Sequence, residues 1–282
     1  MKIKEINALI SLLEDPDHEI YAQVKGKLIE FGLKSIPYLE KAWELNFDSL
    51  VQVRSEQIIQ EILFKKSKKD LSDWLESNKK DLFDGWLIIT KYRYPDLDVE
   101  QIKKNLDDIQ KKVSSELDQP LKSIQVVMKF NKVLFKYEKF RGNFKNYHSP
   151  KNSFINDVLN LKKGNPLSLS LIYIIIAQRL GIPIKGVNLP KHFILAFTSE
   201  DLTNIDLVEF YINPFSLGAI IDRKDVEHFL KKENIPLNSE YFDVCSHKMI
   251  LKRLINNLLN SYTRKGNKNE VDKMLELLDL FN

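Results

Sequence analysis

Two side chains of this sequence, His192 and Asn213, are spaced to do acid-base chemistry together. His192 opens the β-favouring run His192-Phe193-Ile194-Leu195-Ala196-Phe197, and Asn213 closes a second one, Val208-Glu209-Phe210-Tyr211-Ile212-Asn213. The polar segment from Thr198 to Leu207 between them predicts an antiparallel hairpin. With the loop centred between Leu202 and Thr203, His192 faces Asn213 across the ladder, where an amide can fix the tautomer of an imidazole. An imidazole held this way can move a proton. The pairing depends on register, because a one-residue slip sends the two to opposite faces. The only thiol, Cys245, lies apart in Asp243-Val244-Cys245-Ser246-His247 and reads as structural. Cys245 and His247 lack a third ligand in view, and His18, His148 and His228 are scattered, so neither a metal site nor a cofactor is expected.

The elements that must position these residues start with one helix. Asn165 is suited to an N-cap and Pro166 to the first helical position, where a proline has the right φ and no N–H to waste. The helix runs through Leu167, Leu171 and Ile175 to Leu180, with Gly181 and Pro183 as its stop. It is apolar nearly all round, which predicts a spine buried inside a domain. Its amino end presents unpaired N–H groups and a partial positive charge.

Around this centre the chain reads as helical. Leu9, Leu12 and Leu13 stop at Asp15-Pro16-Asp17, a helix follows from about Glu19 to Phe31 with Gly32 as its end, and Ile36-Pro37-Tyr38-Leu39 opens a third. That order resembles a HEAT-type repeat, with Leu50-Val51-Gln52-Val53-Arg54 as the start of a weaker second copy. From Leu71 to Leu134 the pattern stays helical, and Trp74, Trp86, Tyr92 and Tyr94 read as core. Phe140-Arg141-Gly142-Asn143 reads as a turn in which Gly142 permits positive φ. Near the end, the stretches Met249 to Tyr262 and Glu270 to Phe281, broken at Gly266-Asn267, form a tetratricopeptide-like helical hairpin that must dock on the rest.

Composition bounds the function. With 282 residues, 43% hydrophobic and 29% charged, the chain can bury a sizeable core, and 9 Gly with 10 Pro favour helix over sandwich or disorder. A net charge of +4 is a small surplus, and the run Lys65-Lys66-Ser67-Lys68-Lys69 has no aromatic stacking platform beside it, so nucleic acid is not expected as a partner. One cysteine excludes an intramolecular disulfide and points to a reducing compartment. The amino end carries no apolar signal region and the longest apolar run, Leu171 to Ala177, is too short for a bilayer, so no membrane association and a cytoplasmic location are expected.

Taken together, Asn152-Ser153-Phe154-Ile155-Asn156-Asp157-Val158-Leu159, Gly164-Asn165-Pro166-Leu167-Ser168-Leu169-Ser170, Gly181-Ile182-Pro183, Pro190-Lys191-His192-Phe193 and Ile212-Asn213-Pro214-Phe215 resemble the bacterial SirB-one family of transglutaminase-like proteins. The resemblance is specific over residues 140 to 225 and looser over the flanking helices. It implies a Cys-His-Asp triad, with the thiol at the amino end of the central helix. His192 then matches the triad histidine and Asn213 the triad Asp, but the cysteine falls on Pro166. Ser168 and Ser170 are the hydroxyls close by, and Ser168 otherwise reads as a first-turn serine bonded to backbone.

These readings predict a predominantly helical α+β protein in three segments. They are a helical region at 1–135, HEAT-like at its start, a transglutaminase-like core at 136–235, and a tetratricopeptide-like hairpin at 236–282. The function expected is that of a catalytically degenerate core that binds a protein partner or regulates one. The alternative is a hydrolase or acyltransferase acting on an amide or ester through Ser168, His192 and Asn213. Partner, substrate and oligomeric state are left open by the sequence.

Overall fold

The computed structural model describes residues 2–117, 119–200 and 206–282. It is a predominantly helical α+β structure, and its contacts divide it into two compact units, Met1–Ser72 and Asp73–Asn282. The first unit is built from α1 (Lys2–Ser11), α2 (His18–Phe31), α3 (Ile36–Leu45) and most of α4 (Ser49–Glu76). Leu13, Val24, Leu28, Leu39 and Ile58 meet in its core. Gly32 caps α2 at φ 63, as the sequence predicts. Arg54, read as part of a second repeat opening, lies inside α4 and closes the Asp15-Pro16 break: its Nη1 donates to the carbonyls of Leu13 at 2.8 Å and Asp15 at 2.5 Å.

The second unit carries everything around His192. Its helices are α5 (Leu82–Arg93), α6 (Val99–Glu116), α7 (Ser123–Asn131), α8 (Ile155–Leu161), α9 (Pro166–Arg179), α10 (Arg223–Lys232), α11 (His247–Arg264) and α12 (Lys268–Asp279). Strands β1 (Arg141–Gly142) and β2 (Lys163–Gly164) make a short parallel pair. Strands β3 (Ile184–Val187), β4 (Ile194–Glu200), β5 (Asp206–Asn213) and β6 (Ala219–Ile221) form an antiparallel sheet in that order. The division falls after Ser72, because α5 and α6 pack on α8 and α9. The sequence segments at 135 and 235 therefore fall inside one compact unit.

Helix α9 is the spine that the sequence predicts. Every residue from Pro166 to Ala177 is buried. Tyr173 stacks on Phe130 with ring centroids 4.1 Å apart, and its hydroxyl donates to Asn131 Oδ1 at 3.2 Å. Within this unit the carboxy-terminal hairpin packs on α5, with Gly85 against Leu251. The fit at Gly85 is close, since a Cβ would stand 3.0 Å from Leu251.

Two expectations are corrected. Gly142 does not adopt positive φ; the left-handed residue is Lys139, at φ 60. Gly142 is required for space, because a Cβ would sit 2.6 Å from the Phe215 ring. The hairpin is also half of a larger sheet, since Ile184–Val187 and Ala219–Ile221 add a strand on each side.

The amino end of α9 is fixed by a capping box. Asn165 Oδ1 accepts from the Ser168 amide at 2.9 Å, and the Asn165 amide donates to Ser168 Oγ at 3.0 Å. Asn165 Nδ2 reaches Ser153 Oγ at 3.2 Å, tying the cap to the preceding loop. Replacing Asn165 by Ala therefore removes a buried cap and leaves Ser153 Oγ without that donor. The expected loss is about 1–2 kcal/mol of unfolding free energy in a urea titration, and an unchanged midpoint would contradict this account of the helix start.

Candidate functional site

His192 stands just before β4, at the end of a tight turn. The His192 amide donates to the Leu189 carbonyl at 3.3 Å, with Pro190 second in the turn and Lys191 third at φ 61. That third position favours Gly or Asn, so a lysine there is backbone strain held in place beside the site.

The ladder pairs Leu195 with Ile212 and Ala196 with Tyr211, and its register shifts at Phe197/Thr198. Asn213 is paired instead with Ala219 of β6. His192 is thus off the ladder, and the expected register is corrected; its assumed centre at Leu202 and Thr203 lies outside the described residues. The two side chains meet all the same, because the turn folds His192 back: Nε2 lies 3.2 Å from Asn213 Oδ1. The Ser216 amide also donates to this oxygen, at 3.4 Å. Oδ1 is therefore the acceptor, Nε2 of His192 is the donor, and in the neutral ring Nδ1 carries the lone pair. Burial pushes the His192 pKa below its ordinary value; the Asn213 bond opposes this and the Arg253 charge adds to it.

His192 lines a pocket of ≈ 280 Å³, and Asn213 supports it from behind the lining. Asn165, Pro166 and Leu167 supply one wall at the amino end of α9, Lys191 to Phe193 a second, and Tyr147 with His148 a third. The remaining wall is α11, through Arg253, Asn257, Asn260, Ser261 and Arg264. Spacings of four, three, one and three place these five on one face of a helix, next to the stripe of Leu251, Leu254, Ile255 and Leu258 that the core buries. The apolar stripe was legible in the sequence as a docking face, while its polar neighbour went unread; its signal was the same helical periodicity in polar residues.

Loop 143–149 is held over this pocket by Asn152, whose Nδ2 donates to the carbonyls of Asn146 at 2.8 Å and Tyr147 at 2.9 Å. Ser168 is fully buried and does not line the pocket. Its hydroxyl accepts from the Asn165 amide and donates to the Asn165 carbonyl at 3.3 Å. The structure thus brings His192 and Asn213 together, puts Pro166 in the pocket wall, and turns Ser168 into the helix cap.

Cys245 lines a different pocket, together with Gln178, Gly186 and His247. Burial pushes its thiol up to about 12. Among the described residues no group of three or more His, Cys, Asp or Glu is gathered to hold a metal ion. No described helix is long and apolar enough to cross a membrane.

The family model of the transglutaminase-like superfamily matches residues 100–256, a span that contains the whole pocket apart from Asn257, Asn260, Ser261 and Arg264. F-box only protein 21 of Mus musculus is 30% identical over 159 residues, which are 56% of this chain and 25% of that protein. A UPF0162 protein of Xylella fastidiosa is 29% identical over 203 residues, 68% of each chain. Protein SirB1 of Salmonella typhimurium is 24% identical over 217 residues, 76% of this chain and 78% of that one. The chain thus spans about a quarter of the F-box relative and more than two thirds of the bacterial ones. No solved structure matches it.

Two outcomes follow from these environments. In an NMR titration the His192 ring should have its midpoint below the ordinary 6.5. The folded state then binds fewer protons than the unfolded one, so the stability His192 contributes is fully present above 6.5 and is lost as pH falls through the folded midpoint. A midpoint at or above 6.5 would contradict the burial described. Cys245, held as a thiol, should be alkylated by iodoacetamide at neutral pH far more slowly in the native protein than in urea. Equal rates would show that the thiol is open.

Proposed function

The chain belongs to the transglutaminase-like superfamily, and we propose that it is a member without turnover, whose pocket around His192 binds a protein partner or regulates one. The observation that carries this reading is the identity of the wall atoms where the resemblance expects a thiol. Pro166 stands there, and a proline ring offers neither nucleophile nor proton. Asn213 orients His192 but cannot offset an imidazolium charge, and the equivalent Asp-to-Asn change in a serine protease costs about 10⁴ in kcat.

The hydrolase or acyltransferase alternative would need the Ser168 hydroxyl as nucleophile. That hydroxyl is committed to both sides of the Asn165 peptide, and freeing it would undo the cap of the buried helix. Cys245 is no substitute, since it sits in another pocket as a protonated thiol. What supports a binding role is that the pocket is still built: the His192–Asn213 bond and the Asn152 clamp on the overlying loop maintain it, and the strained turn at Lys191 is held in place.

The purified chain should hydrolyse activated esters and amides no faster than its His192→Ala variant. Used as bait, it should retain a stable protein partner. Turnover that His192→Ala abolishes, with no partner recovered, would overturn the proposal.

A further inference from the structure

The pocket has a charge imbalance that the His192–Asn213 pair does not explain. Its wall contains Lys191, Arg253 and Arg264, and no Asp or Glu. Lys191 is paired with Glu233 at 3.1 Å on the surface. Arg253 and Arg264 have no carboxylate partner among the described residues.

Arg253 is the more informative of the two. It is half-buried and anchored through Nη1 alone, which donates to Asn188 Oδ1 and the Leu189 carbonyl, each at 3.2 Å. Its Nε and Nη2 have no acceptor among the described residues. That edge is one of the two with which a guanidinium takes a carboxylate in parallel hydrogen bonds. Withdrawing a guanidinium from water with no counter-charge is unfavourable, and burial lowers the Arg253 pKa accordingly. The amino end of α9, opposite in the wall, adds a partial positive charge of the same sign.

Size and rim narrow the ligand. A volume of ≈ 280 Å³ falls just under the roughly 300–1,000 Å³ of small-molecule sites, which suits one side chain rather than a nucleotide. Beside the pocket Phe144 is exposed and packs on Phe215 with centroids 4.6 Å apart. Tyr147 meets the edge of Phe215 at 5.8 Å, and Phe215 in turn lies 6.3 Å from His192. Exposed aromatics next to an unpaired arginine are the composition of a peptide-binding surface.

We propose that this pocket recognises an acidic residue of a peptide. Its carboxylate sits on the Nε/Nη2 edge of Arg253, and a neighbouring apolar side chain lies against Phe144, Tyr147 and Phe215. The inference rests on the protein-binding reading of the same site and names the partner's chemistry.

A random peptide library selected against the immobilised full chain tests it. Recovered peptides should share an Asp or Glu at one position, and changing that residue to Asn or Gln should weaken binding to the wild-type chain by about tenfold or more. Arg253→Gln should cause a similar loss. Because that readout on the peptide needs no protein variant, a poorly folding Arg253→Gln would not blunt the test. Peptides that bind without an acidic preference and ignore Arg253→Gln would overturn this inference and leave protein binding standing. No peptide recovered, together with His192-dependent turnover, would overturn both.

Discussion

The second unit depends on the burial of α9 together with the capping of its amino end. A helix with every residue from Pro166 to Ala177 out of water cannot leave its first amides to solvent. Pro166 removes one donor and Asn165 satisfies another, while Ser168 answers the Asn165 amide. The same end of the helix is a wall of the pocket. The hydroxyl of Ser168, which helps the spine be buried, is thereby taken out of reach of the pocket.

That double duty gives the site its character. Asn213 holds His192 and also caps the turn Pro214–Ser216. Ser168 is spent on the helix cap, and Pro166 stands in the wall where the resemblance expects a thiol. Among the described residues, the Nε/Nη2 edge of Arg253 has no acceptor, Arg264 has no carboxylate partner, and Nδ1 of a neutral His192 carries a lone pair. Two of these are permanent cations, and the third is an imidazole lone pair. On the proposed reading, a pocket of this kind gains by holding an anion.

The parts of this arrangement written in local sequence were legible. Asn165-Pro166 and Gly181 bracket α9 because cap chemistry is a property of adjacent residues. The β4–β5 hairpin and the meeting of His192 with Asn213 followed from strand propensity and a polar spacer. The register did not, because it is set by the shift at Phe197/Thr198 and by a left-handed Lys191, which no propensity announces. Strands β3 and β6 were missed for their length and composition: Ile184–Val187 includes Lys185 and Gly186, and pairs only because β4 is there to receive it. The α11 wall was missed for a different reason. Arg253, Asn257 and Arg264 are ordinary helix-surface residues until the tertiary fold sets α9 and His192 opposite them. The boundary near 72 was likewise set by packing of α5 and α6 on the core, which composition alone does not encode.

The claim that the site keeps its architecture while lacking a nucleophile is tested most directly by covalent trapping. The native chain is incubated with a serine-reactive electrophile, such as a fluorophosphonate, and its intact mass is read. The account predicts an unmodified mass at concentrations that label an active hydrolase completely. An adduct mapped to Ser168, and lost in the His192→Ala variant, would contradict it.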